Sequence, residues 1–149
     1  MPDLDNRIRE AALPRDHTPR WWAPWLLLAI ATSLPASFAV SMLMPYYVND
    51  LDRFPLDEMP WGIDYMELWP YDTAWSFPVG LAGIYAIVAG PMVAIGILLW
   101  VGFWWSARGG AATWTARVVT MLAVAITVST ITWLVTSSLA STLVSWFLD

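Results

Sequence analysis

The sequence predicts an all-α integral membrane protein: three transmembrane helices, with a short interfacial helix in the first outer loop. Three observations predict it. Charge is scarce, with 13% of the 149 residues charged and 58% hydrophobic, where a soluble domain is roughly a quarter charged. So few charges cannot cover a water-facing surface, so lipid is the expected solvent. Three long runs carry no Asp, Glu, Lys, Arg or His, and tryptophan gathers near their ends, where an apolar ring with one N–H donor suits the membrane boundary.

Residues 1–20 form a polar N-terminal tail, expected to be cytoplasmic. They carry Arg7, Arg9, Arg15, Arg20 and His17 beside several acids. A short helix can run from an Asp3 cap to Leu13, where Pro14 stops it. A solvated tail is the simplest reading.

Residues 21–44 are the first span. From Trp25 onward they reach about 30 Å as a helix, one hydrocarbon thickness. Pro24 suits a first turn, and Pro35 is expected to kink the interior. A competing reading takes the arginines, LLLAIATSL and the Ser37-Phe38-Ala39 triplet as a signal peptide cut after Ala39. That would leave two spans. The long, tryptophan-rich stretch before the apolar core weighs against it.

Residues 45–78 are an acidic, aromatic loop, rich in proline and with Arg53 as its one base. Within it, Trp61–Trp69 is expected as a short helix between Pro60 and Pro70. At about 100° per residue, Trp61, Tyr65, Leu68 and Trp69 fall on one side, with Asp64 and Glu67 on another. That pattern suits a helix lying flat at a membrane surface. Asp57, Glu58, Trp61, Asp64, Tyr65, Glu67, Trp69 and Asp72 make up the candidate docking loop for a partner.

Residues 79–105 are the second span, longer than the hydrocarbon core needs, so its ends reach the interface or the helix tilts. Residues 106–117 form a turn with Arg108, Arg117 and a Gly-Gly pair. Residues 118–149 form the third span, uncharged up to the terminal Asp149.

Arginine sets the orientation. Arg7, Arg9, Arg15, Arg20, Arg108 and Arg117 fall on one side of this layout, and Arg53 alone on the other. Cytoplasmic flanks are enriched in Arg and Lys. The expectation is therefore a multi-pass protein of the plasma (inner) membrane, N-terminus cytoplasmic and acidic loop outside. Arginine without lysine, amid much Ala, Pro and Trp, is the coding bias of a GC-rich bacterial genome.

Two seams invite helix packing. Ala82, Ala86, Gly90 and Ala94 recur every four residues, a ladder that lets a second backbone approach closely. Gly90-Pro91 is expected to kink the span. In the third span Thr120, Ala123, Thr127, Thr130, Leu134, Ser137 and Ser141 alternate three- and four-residue steps, and all but Leu134 are small or hydroxylic. That spacing suits a left-handed crossing of about 20°. The hydroxyls can bond across helices or back to their own carbonyls.

Much chemistry is excluded. Cysteine is absent, so disulfides, thiolate metal sites and cysteine nucleophiles are ruled out. A net charge of −5 argues against nucleic acid, which needs a clustered basic surface. No ionisable group lies inside a run to serve a proton relay or coupled transport. His17 alone cannot supply haem ligands or a His-rich metal site. The loop acids lack the spacing of a calcium-binding EF-hand. No catalytic residue, cofactor or metal site is expected.

The layout is that of many small subunits of larger membrane complexes, an analogy of form alone. The leading expectation is a non-catalytic accessory, assembly or interaction subunit, whose partners are membrane lipid and other membrane subunits or copies of itself. One alternative is a small transport or channel component working as an oligomer around the third span's hydroxyls. A further alternative is an interfacial membrane enzyme using the loop carboxylates.

Overall fold

The computed structural model describes residues 21–56, 64–108 and 112–148. Among the described residues the fold is all-helical, with no strand. Helices α1 (Ala23–Val48), α2 (Ser76–Ala107) and α3 (Trp114–Thr136) are each long and apolar enough to cross a membrane. This is the architecture of a membrane protein. A shorter apolar helix, α4 (Ser138–Leu148), follows α3.

The third apolar run, expected as one helix over 118–149, is thus divided at Ser137. Its backbone is extended there, with φ −84° and ψ 122°. Ser137 closes one helix and opens the next: its N–H donates to the Trp133 carbonyl, and its Oγ accepts the Ala140 N–H at 3.3 Å. The sequence Thr136-Ser137-Ser138 explains the break, because Ser and Thr offer the backbone partners that compete with the helical ladder. The 23 residues of α3 already span about 35 Å, so α4 is not needed to complete the crossing.

Two helices contain π turns, and each turn ends just ahead of a proline. In α1 it covers Ala39–Leu43, before Pro45; in α2 it covers Tyr85–Ala89, before Pro91. Proline gives no N–H to the carbonyl four residues back, and its ring crowds that oxygen. A wider turn upstream accommodates the crowding at the cost of one irregular hydrogen bond. The irregularity expected at Gly90-Pro91 therefore lies in the turn before it. Pro35 sits inside α1 with no π turn around it.

Helix α1 packs extensively on both α2 and α3. Two clusters of buried side chains result. At one end Leu27, Ala31, Ile97 and Ala123 meet, with Val93, Val101 and Ile126 around them. At the other end, where the acidic loop lies, Phe38, Met42 and Tyr46 of α1 meet Val79 and Ala86 of α2. Ala140, Leu143, Trp146 and Phe147 of α4 and Leu51 and Tyr71 of the loop complete that cluster. Phe38 also meets the Trp133 ring edge-on at 5.4 Å.

Candidate functional site

The loop segment 64–75 is built against the bundle. Asp64 opens a single 3-10 turn over Tyr65–Glu67, its Oδ1 accepting the Met66 N–H at 2.9 Å. Leu68 is extended and ends the turn. Of the helix expected over Trp61–Trp69, residues 64–69 are described, and among them Tyr65–Glu67 form one 3-10 turn while Leu68 and Trp69 are not helical; Asp57, Glu58 and Trp61 lie outside the described residues.

Two aromatic side chains of the segment fix it. Tyr65 packs edge-on to Tyr71 at 5.3 Å and lies 5.4 Å from Phe147 and 6.2 Å from Trp146. Tyr71 is buried, and its hydroxyl donates to the Ser41 carbonyl of α1 at 2.7 Å. Burial, then the neighbouring Tyr65, pushes the Tyr71 phenol well above its ordinary pKa. It therefore remains a donor throughout the neutral range. A second tie comes from the end of α1: the Asn49 side-chain amide donates to the carbonyls of Pro45 at 2.7 Å and Trp69 at 2.8 Å.

The acids of the same segment point away. Asp64, Glu67 and Asp72 are exposed, as are Asp50, Asp52 and the Trp69 ring nearby. Arg53 pairs with Asp50 at 2.9 Å, an exposed bridge one turn apart that adds little stability. Among the described residues no group of three His, Cys, Asp or Glu side chains is placed to hold a metal ion.

The two seams have the following surroundings. In α2, Ala86, Gly90 and Ala94 are buried and Ala82 is half-buried. The buried face of that helix runs through Val79, Gly83, Ala86, Gly90, Ala94 and Ile97, mixing steps of three and four, and on to Trp104. In α3, Thr120, Ala123 and Thr127 are buried and Thr130 is half-buried. Beyond the break Ser137 is half-buried and Ser141 exposed.

The α3 hydroxyls bond within their own helix. Thr120 Oγ1 donates to Ala116 at 2.7 Å, Thr127 to Ala123 at 2.8 Å and Thr130 to Ile126 at 2.8 Å. Ser141 does the same to Ser138 in α4. Small size, rather than a hydrogen bond across the interface, is what these residues bring to the α1 contact. A side-chain hydrogen bond that does join two spans is Ser33 Oγ to the Tyr85 hydroxyl, at 2.8 Å.

At the opposite end from the loop, Trp21, Pro24, Trp25, Trp104, Thr113 and Ala116 help line a cavity of about 180 Å³. Among the described residues no titratable side chain lines it.

Residue spacing alone did not disclose Gly83, Ser41, Tyr71 or the Ser33–Tyr85 pair. Gly83 had a readable signal, a small residue three positions before Ala86 on the same helical face. Tyr71 had none, because its partner is thirty positions away.

Comparison with family models, with curated proteins and with solved structures gave no match.

Proposed function

We propose that this chain is a non-catalytic accessory, assembly or interaction subunit of a larger membrane complex. The observation that carries the reading is the two-sidedness of segment 64–75. Tyr65, Leu68 and Tyr71 bind it to the bundle, while Asp64, Glu67 and Asp72 stand exposed. A loop held from behind presents its carboxylates at little further entropic cost, which favours docking of a basic partner surface.

The orientation follows from the arginines: acidic loop outside, N-terminus cytoplasmic, in a plasma membrane. The tryptophans on either side of the layout lie at the two interfaces, and the aromatic loop lies along the outer one. The small faces of α1, α2 and α3 pack the chain onto itself, and the large exposed side chains of α2, Val88, Met92, Leu99 and Phe103 among them, meet lipid or a neighbouring span.

The deciding experiment is purification in mild detergent, with the mass of the assembly measured intact. A stoichiometric complex that dissociates when Asp64, Glu67 and Asp72 are together changed to Asn, Gln and Asn supports the reading. A single species of this chain alone, unaffected by those changes, overturns it.

A further inference from the structure

The Ser41 carbonyl lies four residues before Pro45, which has no N–H to give it. The hydroxyl of Tyr71 donates to that oxygen from the loop, at 2.7 Å and out of contact with solvent. Both residues are buried, Ser41 at 1% exposure and Tyr71 at 5%. Ser41 belongs to the π turn of α1, where the helical ladder is already irregular. A residue of the loop thus bonds to the backbone of a span at its π turn.

We propose that segment 64–75 is a strap coupled through Tyr71 to the final turns of α1, so that strap position and helix geometry form one two-state element. Lifting the strap strips the Tyr71 hydroxyl and the Ser41 oxygen of a partner in apolar surroundings, the costly way to break a hydrogen bond. The same movement uncovers Met42 and Tyr46, which share the buried cluster with Tyr71. The coupling runs in both directions: whatever shifts the π turn loosens the strap, and whatever pulls the strap loosens the π turn. The exposed carboxylates of Asp64, Glu67 and Asp72 are the handle on that element. The coupling is a property of the chain by itself and stands whether or not a basic partner docks there.

Amide hydrogen exchange on the protein in lipid nanodiscs tests it, with Tyr71→Phe, Pro45→Ala and the double variant. Tyr71→Phe keeps the ring against Tyr65 and Phe147 and removes only the hydroxyl. The expected result is faster exchange in both segments, 64–75 and 42–48, by about fivefold. Pro45→Ala gives Ser41 a backbone donor from its own helix. In the Tyr71→Phe background it restores protection to 42–48 and leaves 64–75 fast. On its own it competes with Tyr71, so 64–75 exchanges faster while 42–48 does not. Acceleration confined to 64–75 in Tyr71→Phe, or no rescue of 42–48 by Pro45→Ala, overturns the coupling. Should Tyr71→Phe fail to fold, Pro45→Ala alone decides: an unchanged strap overturns the proposal.

Discussion

Gly83 of α2 lies beneath the ring of Phe147 in α4, so closely that a Cβ on Gly83 would stand 2.5 Å from the ring Cζ. Real Cβ contacts of that kind do not occur without movement. Phe147 has little room to retreat, being buried with Tyr65 and Tyr71 against it. Gly83→Ala is therefore expected to lower stability by about 1–3 kcal/mol through overpacking. Gly80 and Gly96 are the controls, since a Cβ at either meets nothing within 4 Å. Gly80→Ala and Gly96→Ala should be neutral or slightly stabilising, as alanine is the better helix former. Thermal denaturation in detergent separates the three. Equal melting temperatures for Gly83→Ala and Gly96→Ala would remove Gly83 as the seat of the α2–α4 contact.

Helix α3 has two unlike sides. Thr127 is 0% exposed and Val135 is 79% exposed. Thr127→Leu adds volume at a fully buried position, and a loss of about 1–3 kcal/mol is expected. Val135→Leu enlarges a side chain already outside the packed core and should change stability by less than about 0.5 kcal/mol. Val128, also exposed, should behave like Val135. Leu139 should not: it lies beyond the Ser137 break and packs on the cluster at the loop end. Leu139→Ala is expected to cost more than Val135→Ala in the same denaturation assay.

How much of this was legible in the sequence depends on the range of each interaction. The three spans follow from composition summed along each run, a quantity that needs no partner. The steps of three and four along α3 pick out Thr120, Ala123 and Thr127 because the helix is regular there. They lose meaning past Ser137, where the register restarts in α4. The α2 ladder, read in steps of four, finds Ala86, Gly90 and Ala94 but passes over Gly83, because the buried face runs in mixed steps and crosses a π turn. The break itself was readable as a run of hydroxylic residues, Thr136-Ser137-Ser138. The candidate site was the least legible part. Its acids and aromatics were plain, but its attachment rests on Tyr71 to Ser41 and Asn49 to Trp69, pairs distant in sequence that no periodicity connects.

The buried phenol of Tyr71 sets a pH limit. An unfolded tyrosine titrates near pH 10, and in the folded protein burial raises that value. Below about pH 10 the group is protonated in both states and contributes no pH dependence. Above it the unfolded chain loses the proton first, so stability is lost as pH rises toward the folded value. The added slope approaches about 1.4 kcal/mol per pH unit. Melting curves between pH 8 and 11 should show this fall, and Tyr71→Phe should reduce it. An identical pH profile in the two proteins would show that Tyr71 is not the titrating group.

Which way the chain crosses its membrane is the prediction on which the proposed docking surface depends. Ala74 is an exposed residue of the acidic loop, and Ala111 lies in the sequence between α2 and α3. With the arginine-rich tail and turn retained inside, a cysteine at Ala74 should react with a membrane-impermeant thiol reagent in intact cells, and one at Ala111 only after lysis. The chain has no cysteine of its own, so each introduced thiol is the single reporter. The expectation rests on Arg7, Arg9, Arg15, Arg20, Arg108 and Arg117 set against Arg53, an asymmetry confined to short segments close to the spans, where such counts carry most weight. Acids contribute little to that rule, so the excess of carboxylates in 45–78 adds no separate support. Labelling of Ala111→Cys but not Ala74→Cys in intact cells would place the carboxylates inside, and a basic partner would then have to be sought in the cytoplasm.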